Sequence, residues 1–495
     1  MLFTAPSFIF LFLPAALLAF HLTQRRIGGE AAINVLVLAS MVFYGVWSQI
    51  YLALLIAQLL SNWWLAGRIA TRRRPEHWLA AGVAANLALL GYFKYRNFFL
   101  QTLTDLGGPG FDLAPLFVPL GISFHTFQQI AFLADVAEES EERPSLRHYL
   151  LFVLFFPQLI AGPIVLHQEM GRQLNALGAN RRVGLDLIVP GLVVFCFGLF
   201  KKVCLADRIA PYADAAFAWP VHLQLFEAWA GALAYALQLF LDFSGYSDMA
   251  VGLGLMFGLK LPFNFDAPFR ATSMIEYWKR WHITMTRFFT MYLYTPMALA
   301  FYRRADAAGA GPLGVFLSVT ALPTMLTFLA SGLWHGAGWN FIAFGVVNGV
   351  GLVINHAWNA AGGPRLPRLL GWWLTALCIL VTLVYFRSGS LAQAHAMLRS
   401  MVDPSGLGVP EFVARILHGL NLRVVDFAVF DSPPVLARLL GWLVLLGPLA
   451  LLLPNPAKRP LDLRPSSRLA LALAGIVWLS LGWINEPRTF LYFQF

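Results

Sequence analysis

Between Ala307 and Pro364 the chain carries no Asp, Glu, Lys or Arg. At ~20 residues per crossing, such a run traverses a bilayer about twice, and it could not be kept in solution as surface. Similar apolar runs recur along all 495 residues, and hydrophobic residues make up 59% of the chain. Charged residues account for 12%, about half the share of a soluble globular protein. These features predict an all-α polytopic membrane protein, a single domain over 1–495, with about ten to thirteen transmembrane or re-entrant helices. The first run, Phe8 to Phe20, has neither a basic segment before it nor a small-residue cleavage site after it, so it reads as a retained span.

A formal net charge of +10 could point to nucleic acid, but the basic residues fall in short patches between apolar runs. That is the positive-inside pattern, with no nucleic acid partner implied. The patches at Arg25-Arg26, Arg68 to Arg74, Arg303-Arg304, Arg365 with Arg368, and Lys458 to Arg468 are the cytoplasmic candidates. Counting spans from them puts the turn-rich region 388–434 and the C-terminal tail 488–495 on the outer side. Cys196, Cys204 and Cys378 lie in or beside apolar runs. They form no disulfide framework and no zinc-ligand pairs, so no metal is expected.

Two apolar runs are interrupted, at Val118 to His125 (VPLGISFH) and at Phe155 to Pro163 (FFPQLIAGP). Broken backbone at membrane depth must be buried in protein or line a wet cavity, unless the prolines merely kink packed helices. Glycine spacings such as Gly332 to Gly336 and Gly345 to Gly349 fit close helix packing. There is no Gly-x-Ser-x-Gly elbow and no Walker-type sequence, which argues against an ATP-driven transporter.

From Leu261 to Arg304, charges alternate with Phe, Trp and Tyr. On a helix, Trp278, Trp281 and Met285 would share one side, while Lys279, Arg280 and Arg287 would reach lipid headgroups or the phosphates of a cytoplasmic donor such as coenzyme A.

Two histidines stand out. His335, in Gly-Leu-Trp-His-Gly, lies inside the uncharged run, and His282 lies in Trp-Lys-Arg-Trp-His-Ile. A desolvated, neutral imidazole at His335 could take a proton from a hydroxyl attacking an acyl thioester. His282 could then stabilise the oxyanion or position the acceptor. Asp242 and Asp248, in Leu-Asp-Phe-Ser-Gly-Tyr-Ser-Asp-Met, fit either a structural hydrogen-bond network or a proton relay.

Taken with Pro119-Leu120-Gly121-Ile122-Ser123-Phe124 and Gly91-Tyr92-Phe93-Lys94-Tyr95, these strings make the chain resemble the membrane-bound O-acyltransferases. The likeness is to the bacterial branch of alginate and peptidoglycan O-acetyltransferases and the teichoic-acid D-alanylation channel protein. The resemblance implies a rosette of tilted helices around a central tunnel, in the bacterial inner membrane. It puts His335 at the family's essential histidine and His282 at its second one. The implied activity is acetyl transfer from cytoplasmic acetyl-CoA to the outer side for O-acetylation of an envelope or exported polysaccharide, completed by a periplasmic lipase-like (SGNH-type) partner. The C-terminal Phe490-Leu491-Tyr492-Phe493-Gln494-Phe495 is similar to a family motif in which the tyrosine carries the acyl group; an interfacial aromatic anchor also fits the composition. The Gly-Gly-Asn-Arg loop of alginate-type members is missing after His282, which leaves the acceptor glycan open. A glycan or lipid transporter without bond chemistry, and a D-alanyl or other acyl transferase of the same family, are the competing functions.

Overall fold

The computed structural model describes every residue except Met1, Arg72, Arg73, Asp112, Pro115, 140–143, Trp219, Asn421, 453–454, Pro460, 462–465, 485–487, Thr489 and 492–495. The regular secondary structure of the described residues is helical, with no β-strand among them. The helices that matter below are α1 (Leu13–Arg26), α2 (Gly29–Gly45), α3 (Gln49–Ala70), α4 (Pro75–Leu90), α5 (Ile122–Glu139), α6 (Leu146–Leu154), α7 (His167–Gly178) and α8 (Leu185–Phe200). They continue with α9 (Asp207–Ala218), α10 (Leu225–Met256), α11 (Met274–Trp278), α12 (Ile283–Phe289), α13 (Leu322–His335) and α14 (Trp339–Ala360). The last three are α15 (Arg368–Arg387), α16 (Pro433–Leu452) and α17 (Ser467–Trp483). Among the described residues, seven helical stretches are long and apolar enough to cross a membrane, and α2 and α17 are shorter apolar helices. The chain is a multi-pass membrane protein.

It divides into two compact units. Unit 1 comprises residues 1–200, 245–263 and 456–494, and unit 2 comprises 201–244 and 264–455 with the last residue.

In unit 1, polar side chains join helices that would otherwise offer one another only hydrocarbon. Gln58 of α3 donates to Asn86 of α4 at 2.8 Å, Asn86 donates to Asn62 at 2.6 Å, and Asn62 donates to Gln129 of α5 at 2.8 Å. All four are buried. Such amides pair with one another because hydrocarbon offers no other partner. Both interrupted runs lie in this unit. After α6 the backbone leaves helical geometry, and residues 155–163 run as buried irregular chain, with the Phe156 N–H donating to the Ser40 hydroxyl at 3.1 Å and the Gly162 N–H to the Gln158 carbonyl at 3.0 Å. Gly121, at φ +73°, passes so close to this segment that a Cβ would lie 2.8 Å from the Leu159 carbonyl oxygen. The two broken runs are therefore packed on each other inside protein, the condition under which free backbone is tolerated at membrane depth.

In unit 2, α13 and α14 form a tight antiparallel pair. A Cβ at Gly332 would sit 2.3 Å from the Phe341 carbonyl oxygen, and one at Gly345 would sit 2.4 Å from that of Phe328. Glycine at both positions lets the two backbones touch, as the spacing predicts. Within 388–434, three consecutive backbone N–H groups are gripped by one side chain. Glu227, fully buried near the start of α10, accepts backbone N–H groups from Gln224 (3.1 Å), Ala428 (3.0 Å), Val429 (2.7 Å) and Phe430 (2.9 Å).

Candidate functional site

The sequence pattern suggests one amphipathic helix carrying Trp278, Trp281 and Met285, but the structure forms two short helices instead, α11 and α12, with a turn between them. The interruption is at His282, whose backbone is left-handed at φ +42° and ψ +53°. A residue with a Cβ pays roughly 1–2 kcal/mol there, so something must hold it. That residue is Asn264. Its carbonyl accepts the Ile283 N–H at 3.0 Å, and its side-chain oxygen accepts the Thr284 N–H at 3.2 Å and the Thr284 hydroxyl at 2.6 Å. The neighbouring Asp266 N–H donates to the Arg280 carbonyl at 3.0 Å, so 264–266 clamps both sides of the turn. At the other end, α11 is capped by the Ser273 hydroxyl and by Asn355 of α14, whose side-chain oxygen accepts the Ile275 N–H at 3.2 Å.

This clamp sets the His282 ring in a fully buried aromatic nest. Phe243 meets it edge-on at 4.7 Å between ring centroids, and Trp334 lies at 5.9 Å. His335 is the last residue of α13, buried against Trp334 at 4.8 Å, Phe386 at 5.0 Å and Phe344 at 5.6 Å. The two histidines singled out in the sequence, separated by 53 positions, thus share one indole.

The basic residues of the segment divide. Arg280 is committed within the fold: its Nε and Nη2 donate to Glu276 at 3.0 and 2.8 Å, and its Nη1 donates to the Asp266 carbonyl at 3.0 Å. Burial pushes the Glu276 carboxyl up, but the Thr272 N–H and hydroxyl and the Arg280 guanidinium outweigh it and hold the group below its ordinary value. Lys279 is exposed and Arg287 is partly exposed.

Asp242 has a partner the sequence reading did not name. Lys202 places its Nζ 2.6 Å from an Asp242 carboxylate oxygen and 2.7 Å from one of Asp207, and all three are buried. Lys202 sits in a π-helical turn, Lys201–Ala206, between α8 and α9. The available signal was a lysine inside an apolar run, which at membrane depth calls for an acidic partner. In unit 1, Asp248 is buried on α10, near Tyr246, which stacks on Phe3 at 4.9 Å. Phe490 of the tail is buried edge-on against that same Tyr246 at 4.7 Å. Tyr492 lies outside the described residues.

The model of the membrane-bound O-acyltransferase family matches residues 43–361, which include both histidines. The chain belongs to this family. The peptidoglycan O-acetyltransferase of Helicobacter pylori is 37% identical to this O-acyltransferase over 467 residues, covering 86% of each chain. The probable alginate O-acetylase AlgI of Azotobacter vinelandii is 37% identical over 411 residues, or 81% of this chain and 78% of the relative. A teichoic acid D-alanyltransferase of Streptococcus thermophilus is more distant, at 27% identity over 278 residues, covering 53% of this chain and 65% of the relative.

Proposed function

We propose that this O-acyltransferase takes acetyl from cytoplasmic acetyl-CoA and delivers it across the membrane for O-acetylation of an envelope or exported polysaccharide. The observation that carries the reading is the pair of buried imzidazoles on one indole, His282 and His335, in a unit of a family-matched chain. A thioester is already activated, so one base, one oriented hydroxyl and one oxyanion donor are enough. His335 takes the proton of the attacking hydroxyl as its oxygen bonds to the acetyl carbonyl carbon. His282 steadies the oxyanion. The C–S bond then breaks, and the coenzyme A thiolate leaves and recovers the proton. Identity near 37% to O-acetyltransferases over most of the chain, against 27% over about half of it for the D-alanyl relative, favours acetyl over D-alanine.

The first acceptor in this reading is the phenol of Tyr492, in a tail on the outer side of the inner membrane. From there a lipase-like periplasmic partner moves the acetyl to glycan. The buried Phe490 supports a tail docked two residues before its nucleophile. Lys279 and Arg287 meet the donor's phosphates, and Arg280 shapes the turn that presents them. Asp242 acts with Lys202 as a structural ion pair, and Asp248 belongs to the same buried helix as a structural residue.

Membrane vesicles supplied with radiolabelled acetyl-CoA test the reading. Hydroxylamine-sensitive label on the protein, lost in His335→Ala, is the expected result. Glycan movement with no covalent label at any time would instead identify a transporter or scaffold.

A further inference from the structure

Unit 2 contains a cavity of about 440 Å³, which neither His282 nor His335 lines. Its walls are α10, α15 and α16, joined by Pro268 and Phe269. The lining is hydrocarbon and aromatic, and the polar atoms nearest to it are already used. The Trp229 indole donates to the Met401 carbonyl at 2.8 Å, the Trp372 indole to the Phe269 carbonyl at 2.8 Å, and the Thr375 hydroxyl to the Gly371 carbonyl at 2.7 Å. A polar ligand would lose its hydration there without compensation. Along α10 the lining runs from Trp229 to Leu237, about 12 Å at the helical rise. The space is therefore elongated, matching the shape of a hydrocarbon chain.

Two of the walls, α15 and α16, belong to stretches long and apolar enough to cross the membrane, so lipid is the solvent outside them. One end of the cleft is cationic. Arg368 begins α15 one turn before Trp372, Arg365 precedes it, and Arg270 adjoins Phe269 and donates to the carbonyls of Leu451 and Leu452 at the end of α16. All three arginines are exposed, and none makes an ion pair with an acid among the described residues. An apolar slot ending at three arginines is complementary to one molecule of the bilayer: a hydrocarbon tail on a phosphate.

We propose that this cleft holds one acyl chain of an anionic phospholipid, with the lipid phosphate on Arg365, Arg368 and Arg270. A neutral lipid would satisfy the slot but not the arginines.

The full-length protein, purified in mild detergent, is titrated with phosphatidylglycerol and with phosphatidylcholine and read by native mass spectrometry. In parallel, phosphatidylglycerol carrying a diazirine in its acyl chain is photolysed in the membrane and the labelled peptides are mapped. One phosphatidylglycerol retained in at least tenfold preference to phosphatidylcholine is expected, with label concentrated in 372–380 and 443–451. A Cβ added at Gly447, a lining residue, meets no atom within 4 Å, so Gly447→Leu should fold and fill the slot, reducing retention at least tenfold. Arg365→Ala with Arg368→Ala should abolish the headgroup preference. Ala376→Leu blocks the same space from α15 and serves if Gly447→Leu does not fold. Label spread over all bilayer-facing helices, equal retention of the two lipids, or unchanged retention in a folded blocking variant would each overturn the assignment.

Discussion

Trp334 packs against His282 with ring centroids 5.9 Å apart, at an interplanar angle of 60°. Because Trp334 immediately precedes His335 in the chain, this contact fixes where α13 delivers the second imidazole. Trp334→Ala should therefore disturb both histidines at once. Acetyl transfer should fall at least as far as in either single histidine variant, with the protein still inserted. Measured turnover in vesicles checks it, and near-normal activity would separate the two histidines functionally.

His335→Ala removes one ring at a helix end and leaves α13 and α14 otherwise packed. The protein should accumulate in the membrane at wild-type levels, with turnover reduced about 10²–10⁴-fold, the usual worth of a general base. Activity within tenfold of wild type would remove His335 from the proton-transfer role.

Asn264 is the residue that sequence reasoning passed over. Asn264→Ala deletes the side-chain acceptor of two hydrogen bonds on Thr284 and loosens the clamp that holds His282 in its left-handed backbone. Turnover should drop at least tenfold, while the Michaelis constant for the donor changes little. Replacement of His282 by Gly combined with Asn264→Ala should recover stability but not turnover, since glycine accepts that backbone without strain. Thermal unfolding of the two variants separates strain from chemistry.

The Lys202 cluster should tolerate loss of all its charges better than loss of one. Lys202→Met removes the cation that two buried carboxylates share, and breaking a buried pair costs about 3–5 kcal/mol. Expression and melting temperature should fall sharply in Lys202→Met and recover substantially when Asp242→Asn and Asp207→Asn are added.

Glu276 gives a pH signature. Its folded carboxyl lies below its ordinary value, so its stabilising contribution is complete above the unfolded value, about 4.3, and disappears as pH falls through the folded one. The stability gap between wild type and Glu276→Gln should be constant at neutral pH and close below about pH 4. A gap that instead widened with acid would reverse the sign of the shift.

Much of this was legible in sequence because membrane burial leaves coarse marks. An uncharged run containing His335, glycines at packing intervals, and prolines that break apolar stretches all follow from what lipid forbids. The left-handed turn at His282 was not legible, because the periodicity of Trp278, Trp281 and Met285 fits a continuous helix and the interruption is imposed by Asn264, 18 positions upstream. The commitment of Arg280 was hidden for the same reason: Glu276 at helical spacing was visible, but the Asp266 carbonyl reaches it only through the fold. Lys202 could have been paired with an acid in general terms, but choosing Asp242 required the structure.

The grip of Glu227 on residues 428–430 uses only their backbone N–H groups. Recognition by main chain is indifferent to the side chains it holds, so Ala428 and Val429 can drift in identity without loosening that attachment, provided neither becomes proline, whereas Phe430 is itself buried. A segment anchored this way can change the side chains it exposes, as at Ala428, while its tether stays the same.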